Sequence, residues 1–304
     1  MTGDRISLAV RDHGGDGPPL LLLHGAGRTL ADWAAAAPLL ARHHRVLAVD
    51  LRGHGLSPSG PWNFPGVLAD IQAVLEEHDI PDALPVGHSL GGMVAVLHAL
   101  AHPDAVPAAV NLDGYAWGRP DQYVGLDPAY VEERLAQVRQ MAEAASARGP
   151  LPADGLAQEL ARQRTMSGQL GIPYDLLEAG IRRSVIERPD GRLELRPVRD
   201  RALEMLAAIE SLDLFALFRR VPVPLLLGRA LRPVPPVPGV DWFDELMAAY
   251  GRGLARDLDR LAAERPGVRV AGIDGTHAML LENPRGVADA VLRFTSETFP
   301  GRAA

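Results

Sequence analysis

The first third of the chain alternates between short apolar runs and segments whose apolar residues recur every three or four positions. Leu20–Leu23 and residues 45–49 are predominantly apolar runs, which is the pattern of strands buried on both faces. Residues 31–43 and 64–78 have the spacing of amphipathic helices. Strands and helices that alternate in this way predict a parallel sheet with helices on both of its faces.

Further strands are predicted around a glycine-rich turn and near the N-terminus. The apolar residues before Gly87 predict a strand, an Ala-, Leu- and Val-rich segment up to about His102 predicts a helix, and residues 106–112 predict the next strand. Polar and apolar residues alternate over positions 5–11, which is typical of a half-buried, antiparallel edge strand.

The alternation stops at residue 115, where the sequence becomes more polar and helical. Residues 192–196 are a short strand-like segment that predicts one arm of a hairpin. The sheet pattern then returns, with strands and helices predicted in turn at residues 222–227, 243–263, 268–273 and 284–294. We therefore predict an α/β core made of residues 1–114 and 221–304, with residues 115–220 inserted as a helical cap.

The segment Gly87-His88-Ser89-Leu90-Gly91 has the pattern Gly-x-Ser-x-Gly and lies between the predicted strand and helix. A serine in this place occupies a very sharp turn, and the glycines remove side chains that would collide across it. The hydroxyl group of Ser89 would then project above the end of the sheet, beside unpaired N–H groups at the start of the helix.

Composition narrows the classes of function. The chain has 304 residues, 47% of them hydrophobic, and 31 basic against 38 acidic residues give a net charge of −7, which argues against non-specific nucleic-acid binding. Because there is no cysteine and no lysine, thiol nucleophiles, disulfides and Schiff-base chemistry are excluded. The N-terminus does not resemble a signal peptide, and the longest apolar stretch, residues 94–101, is too short to span a bilayer. We therefore expect a cytoplasmic protein without membrane contact.

Four motifs occur in a fixed order on the predicted sheet. They are His24-Gly25-Ala26-Gly27, Asp50-Leu51-Arg52-Gly53-His54-Gly55-Leu56-Ser57, the glycine-flanked serine, and Gly275-Thr276-His277-Ala278-Met279 followed by Glu282-Asn283-Pro284. In this order they resemble the α/β-hydrolase fold family, over nearly the whole chain outside the predicted cap. The resemblance implies an α/β-hydrolase fold with a mostly parallel central sheet, helices on both faces and an inserted helical cap.

The chemistry of such a site needs a nucleophile, a base within hydrogen-bond reach of it, and a carboxylate that orients the base. Ser89 is the candidate nucleophile, and a serine hydroxyl is a poor nucleophile unless a histidine takes its proton. His277 follows the last predicted strand, and the family's order of serine, acid and histidine implies that it is the base.

The acid departs from the family's commonest pattern. Members usually carry it in the loop after the strand predicted at residues 222–227, but that loop has no carboxylate before Asp241. A less common arrangement places the acid directly after the strand that follows the serine's helix, and Asp113 lies there. We predict Asp113 as the acid because its position needs no long loop excursion, with Asp241 or Asp244 as the alternative.

The resemblance also implies roles for residues around the serine. Two backbone N–H groups, those of Ala26 and Leu90, are expected to form an oxyanion hole. His24, His54 and His88 are expected to make structural hydrogen bonds.

The predicted cap has aromatic and thioether side chains that suit an apolar substrate pocket. Tyr115, Trp117, Met141 and Met166 are candidates for its lining, although each can equally pack the cap against the core. Arg28, just after the oxyanion loop, is a candidate contact for a substrate carboxylate, with a solvated arginine as the plainer interpretation.

Together these residues predict a serine hydrolase that cleaves an ester, lactone or thioester of a small or medium organic substrate through an acyl-enzyme, without a metal or organic cofactor. Serine in place of aspartate argues against the epoxide-hydrolase and haloalkane-dehalogenase branches of the family. Hydrolysis of a C–C bond, or acyl transfer and cyclisation in natural-product metabolism, would use the same triad and stays open. So does a receptor-like protein that only binds a small molecule. We expect a small-molecule acyl substrate, no nucleic-acid partner, and a monomer or homodimer.

Overall fold

The computed structural model describes residues 5–146, 149–234, 236 and 239–300. Nine strands occur within these residues: β1 (Val10–Asp12), β2 (Leu20–Leu23), β3 (Val46–Val49), β4 (Leu84–His88), β5 (Ala109–Leu112), β6 (Val185–Glu187), β7 (Leu193–Leu195), β8 (Leu225–Ala230) and β9 (Val268–Ile273). Seven of them form one sheet in the order β1-β3-β2-β4-β5-β8-β9, and β6 and β7 form a separate antiparallel hairpin. Only β1 runs antiparallel to its neighbour in the large sheet, which confirms the predicted mostly parallel α/β fold.

Eleven helices occur within the described residues, and those of the core cover both faces of this sheet. They are α1 (Ala37–Leu40), α2 (Phe64–Glu77), α3 (Leu90–Ala101), α4 (Pro128–Ser146), α5 (Gly155–Leu170), α6 (Tyr174–Ser184), α7 (Arg199–Glu210), α8 (Leu214–Arg220), α9 (Asp241–Glu264), α10 (Met279–Glu282) and α11 (Pro284–Thr298). Short 3₁₀ turns occur at Leu30–Trp33 and Pro120–Gln122. Within the described ranges, no helix combines the length and the apolar character needed to cross a lipid bilayer.

The sheet is buried because neighbouring residues of a central strand face opposite layers. Leu20 and Leu22 of β2 pack in the cluster that contains Val291 of α11, whereas Leu21 and Leu23 pack in the cluster that contains Ile71 of α2. All four leucines are at most 1% exposed. Full burial of a leucine side chain contributes about 1.5–3 kcal/mol, so the continuous apolar run is explained by two apolar layers rather than one.

Two predicted elements near the N-terminus were wrong in extent. The predicted strand at 5–11 is reduced to β1, because side chains take the backbone N–H groups before it. The N–H of Ile6 donates to Asp70 Oδ1, and that of Ala9 donates to Ser57 Oγ. The predicted helix at 31–43 is divided between a 3₁₀ turn and α1. Pro38 lies in the first turn of α1, where its missing N–H would have no partner within the helix.

Helices α4–α8 and the hairpin are inserted between β5 and β8. The hairpin agrees with the strand predicted at 192–196, and α8 packs against α3 of the sheet layer. The division into core and cap at residues 115 and 220 stays a prediction, and its outer limits at 1 and 304 lie outside the described residues.

Candidate active site

Ser89 lies on a sharply bent turn between β4 and α3. Its backbone has φ 53° and ψ −118°, which side chains rarely adopt. A Cβ atom on Gly87 would collide with the carbonyl oxygen of Gly91, and one on Gly91 would collide with that of Leu23. The two glycines are therefore needed for close packing around the turn, and the turn holds the serine side chain above the carboxyl end of the sheet.

Three side chains that come from different strand ends form a chain of hydrogen bonds. His277 follows β9, and its Nε2 lies 3.1 Å from Ser89 Oγ. Its Nδ1 lies 2.7 Å from Oδ2 of Asp113, which follows β5. The side chain of His277 is 45% exposed and that of Asp113 is 13% exposed, so the histidine meets the cavity while the carboxylate lies beneath it.

The backbone around Asp113 fixes its carboxylate. Its φ is 55°, its N–H donates to Gly228 O at 2.9 Å, and its Oδ1 accepts the N–H of Ala230 at 3.0 Å. Burial opposes ionisation, but the hydrogen bond and charge of His277 and the N–H of Ala230 hold the pKa of Asp113 below its usual range.

The alternative carboxylates lie elsewhere. Asp241 and Asp244 are exposed in the first turn of α9, and neither has a hydrogen bond to His277 in the part of the chain that is described.

The N–H groups of Ala26 and Leu90 are free for an acceptor. Within the described residues neither donates a hydrogen bond, and both residues line a cavity that also contains Ser89. Leu90 is the first residue of α3, so the N-terminal end of the helix dipole adds to its N–H.

Two buried histidines hold the loop of residues 24–27 in place. His24 Nε2 accepts the N–H of Leu51 at 2.9 Å, so its Nδ1–H donates to Gly25 O at 2.8 Å. His54 Nε2 accepts the N–H of Gly27 at 3.2 Å. Burial lowers the pKa of both, that of His54 to about 3, and the neutral rings can therefore accept as well as donate.

His88 and Glu282 contact the loop that carries His277. His88 Nε2–H donates to the carbonyl oxygen of His277 at 2.8 Å. The pKa of His88 is lowered to about 3, mainly by burial and to a smaller extent by the neighbouring charge of His277. Glu282 accepts both the N–H of Thr276 at 2.8 Å and its hydroxyl at 2.7 Å. Arg232 donates to the same carboxylate at 2.7 Å, so the backbone beside His277 is held by both His88 and Glu282.

Asp50 connects α6 of the inserted segment to the core residues Leu30 and Leu56. Its fully buried carboxylate accepts the N–H groups of Leu30 and Leu56 at 2.8 and 2.9 Å, and Nε of Arg183 at 2.8 Å. Arg196 of the hairpin donates to carbonyl oxygens of the same glycine-rich loop. The inserted segment is thus anchored to the core by buried polar contacts.

Two cavities meet at Ser89. A cavity of about 290 Å³ contains His277, Met166 and Arg28, and one of about 600 Å³ contains Tyr115 and Trp117. A further cavity of about 530 Å³ lies at the opposite edge of the sheet, where β2 and β4 begin, and touches none of these residues.

Of the residues predicted to line the pocket, Arg28 lines the smaller cavity and Met141 lines neither. Met141 is 46% exposed and lines neither cavity, because α4 turns the face containing Leu135, Val138 and Ala142 inwards and Met141 lies to one side of it. Arg28 lines the smaller cavity with its side chain 28% exposed, and its Nε–H and Nη2–H donate to Asp32, both at 2.7 Å.

Several residues of the site escaped the sequence argument. Met93 and Leu206 line the larger cavity, and Leu177 lines the smaller one. The only signal available was the apolar stripe of each helix, which also describes ordinary core packing. Glu282 was part of a quoted motif, but its hydrogen bonds to Thr276 had no sequence signature.

Known proteins of the alpha/beta hydrolase fold are similar to this chain in sequence. A sequence profile described as the alpha/beta hydrolase fold matches residues 18–149. A pimeloyl-[acyl-carrier protein] methyl ester esterase from Aeromonas hydrophila is 30% identical over 221 residues, which cover 70% of this chain and 83% of the esterase. A fluoroacetate dehalogenase from a Burkholderia species is 39% identical over 107 residues, which cover 33% of this chain and only 35% of that protein.

Solved structures extend the likeness across the whole fold. An E-2-(acetamidomethylene)succinate hydrolase superposes with a TM-score of 0.70 at 23% identity, covering 96% of both chains. At that identity the likeness concerns the fold. It includes the inserted segment as well as the sheet.

Proposed function

The chain belongs to the α/β-hydrolase fold family, and on the basis of its site we propose that it is a serine hydrolase that cleaves a carboxylic ester, lactone or thioester through an acyl-enzyme. The observation that carries the proposal is the pair of hydrogen bonds from Ser89 through His277 to Asp113, at 3.1 and 2.7 Å. Ala26 and Leu90, whose N–H groups have no acceptor within the described residues, line a cavity together with Ser89. Nucleophile, base and oxyanion donors can then act on one carbonyl group, while the acid orients the base.

In the first half of the reaction, Ser89 Oγ attacks the substrate carbonyl carbon while His277 Nε2 takes the hydroxyl proton. The carbonyl oxygen becomes an oxyanion and accepts the N–H groups of Ala26 and Leu90. As the carbon–oxygen or carbon–sulfur bond to the leaving group breaks, the same proton passes from His277 to that atom. Asp113 stabilises the imidazolium and keeps Nδ1 protonated throughout.

In the second half, water replaces the leaving group. His277 Nε2 takes a proton from the water, whose oxygen attacks the acyl carbon in the same oxyanion site. The bond to Ser89 Oγ breaks and the proton returns to the serine, so that a free acid leaves and the enzyme is restored.

The residue at the elbow separates this proposal from a dehalogenase. A dehalogenase of this fold forms an alkyl ester on a carboxylate nucleophile, and that chemistry cannot start from the hydroxyl of Ser89. The esterase relative is the better guide to reaction type, although its own substrate is not carried over to this chain.

A fluorophosphonate probe tests the proposal directly. We expect covalent labelling of the folded chain at Ser89, located by mass spectrometry, and turnover of at least one ester in a p-nitrophenyl panel. Ser89→Ala should abolish both while circular dichroism and thermal unfolding stay unchanged. Ester turnover that survives in S89A, or an unlabelled folded protein, would exclude the proposal.

A further inference from the structure

The two cavities at Ser89 share the oxyanion loop but differ in their other walls. Ala26 and Ser89 line both. The smaller cavity, of about 290 Å³, has His277 in its wall, whereas the larger, of about 600 Å³, has Leu90. A substrate carbonyl at Ser89 therefore has two directions in which its substituents can extend.

The walls of the smaller cavity are mostly apolar. The 276–281 segment contributes Leu280 and Leu281, and the inserted helices contribute Met166 and Leu177, which pack in one cluster with Leu281. Its one cationic side chain, Arg28, is held by both oxygens of Asp32. An uncharged group of limited size suits this space.

The larger cavity has apolar walls that include Met93, Leu206 of α7 and Phe215 of α8. Its charged lining residues are Arg119, Arg139, Glu210 and Asp213. Both arginines are paired, Arg139 with Glu210 at 2.7 Å and Arg119 with Asp121, so their charges are already compensated. A long or branched apolar group fits here better than a carboxylate or an ammonium group.

The path of the proton decides which substituent occupies which cavity. His277 Nε2 must deliver its proton to the leaving atom, so the leaving group has to extend on the side that His277 lines. With the carbonyl oxygen on the N–H groups of Ala26 and Leu90, the remaining substituent of the carbonyl carbon extends into the other cavity.

We propose that the larger cavity binds the acyl group and the smaller one the alcohol or thiol, so that the substrate class is a neutral ester or thioester whose apolar acyl part is bulkier than its leaving group. This assignment rests on the proposed acyl-enzyme chemistry. It adds which part of the substrate, acyl group or leaving group, each cavity binds.

Acyl-enzyme kinetics separate the two cavities. The leaving group has departed before water attacks, so a change in the alcohol cavity alters acylation but not deacylation. The acyl group is present in both steps, so a change in the acyl cavity alters both. Rapid-mixing bursts of p-nitrophenol from p-nitrophenyl acetate, butyrate and octanoate give the two rate constants, and methyl and benzyl octanoates test the alcohol.

Leu206→Trp fills the larger cavity and Met166→Trp fills the smaller one, both at half-buried positions. We expect L206W to slow acylation and deacylation with octanoate by about tenfold or more relative to acetate. M166W should leave octanoyl-enzyme deacylation within about twofold of wild type while disfavouring benzyl against methyl esters by about tenfold. Met141→Trp, on the outward face of α4, is the matched control and should change neither profile.

The outcomes distinguish this inference from the proposed function. If M166W slows octanoyl-enzyme deacylation, if L206W selects between alcohols rather than acids, or if neither variant changes a profile, the assignment of the cavities is wrong although Ser89 still takes up the fluorophosphonate. If the wild-type chain is neither labelled nor active on any ester, the proposed function fails and the assignment fails with it.

Discussion

Replacing Asp113 by asparagine tests the proposed acid without changing its shape. Asparagine tolerates the left-handed backbone at this position, where φ is 55°, and its Oδ1 can still accept the N–H of Ala230. Its amide nitrogen then faces His277 Nδ1 as a donor. The ring proton must move to Nε2, and a protonated Nε2 cannot take the hydroxyl proton of Ser89.

The expected loss is large because the contact is short and sheltered. The distance between Nδ1 and Oδ2 is 2.7 Å and the carboxylate is 13% exposed, so water does not replace it. The same substitution in a serine protease triad lowers kcat about 10⁴-fold, which corresponds to about 5 kcal/mol of transition-state stabilisation. We expect a loss of this order in kcat for D113N.

The assay is kcat on the best p-nitrophenyl ester, normalised to the concentration of folded protein, for D113N beside D241N and D244N. The two control aspartates are exposed at the start of α9, so their variants should keep the wild-type rate. Unfolding curves show whether each variant is folded. A folded D113N enzyme within tenfold of wild type, or a comparable loss in D244N, would refute the assignment of the acid.

Three further predictions concern support of the site and stability. Glu282→Gln removes an acceptor from the loop that carries the base, so kcat should fall about 10- to 100-fold with little change in KM, whereas Asp274→Asn, at a 77% exposed carboxylate that contacts the same arginine, should keep its rate. Equal rates for the two variants would count against that support. Arg183→Met leaves the fully buried Asp50 short of a partner and should lower the urea-unfolding free energy by about 3 kcal/mol, while Arg182→Met, in an exposed pair, should cost less than about 1 kcal/mol; similar losses would contradict this reasoning. Burial lowers the pKa of His98 to about 4, so between pH 6.5 and 4 this residue binds a proton only in the unfolded chain. The unfolding free energy should therefore decrease as the pH is lowered through this range, by up to about 1.4 kcal/mol per pH unit from this residue. His98→Gln should give a shallower pH dependence of the unfolding free energy, and an unchanged slope would show that the residue does not contribute.

The fold was predictable where burial on both faces or tight packing restricts the residue type. Leu20–Leu23 could only be a central strand, since a strand with one wet face alternates. The glycines around Ser89 were equally informative, because any side chain there would collide with backbone. At such positions the residue type alone indicates the local structure.

Other features depended on partners far away in the sequence. Residues 5–9 had the alternation of a strand, yet Asp70 and Ser57 satisfied their N–H groups instead. On α4 the sequence offered Met141 as a pocket residue, but the face that turned inwards was decided by contacts with α7. The larger cavity is a space between helices, and no single segment encodes it.

Because Asp113, directly after β5, provides the carboxylate that contacts His277, the loop after β8 does not need to provide one. Leu231 and Arg232 donate backbone hydrogen bonds to Ile273 and Gly275, and the Arg232 side chain donates to Glu282, but residues 231–234 contribute no group to the hydrogen bonds from Ser89 to Asp113. Exchange of that loop with Arg232 kept should therefore change the rim of the smaller cavity, which Val234 lines, more than it changes the proton path.

The spacing of the site along the chain also bears on synthesis. Ser89, Asp113 and the two proposed oxyanion donors are made within the first 113 residues, while the proposed base, His277, follows the serine by 188 residues. At about 5–20 residues per second, a ribosome needs roughly 10–40 s to add that stretch. A nascent chain, or a fragment that ends before β9, presents the nucleophile with nothing to take its proton. On the proposed mechanism, the chain therefore becomes reactive only after β9, its last strand, has joined the sheet.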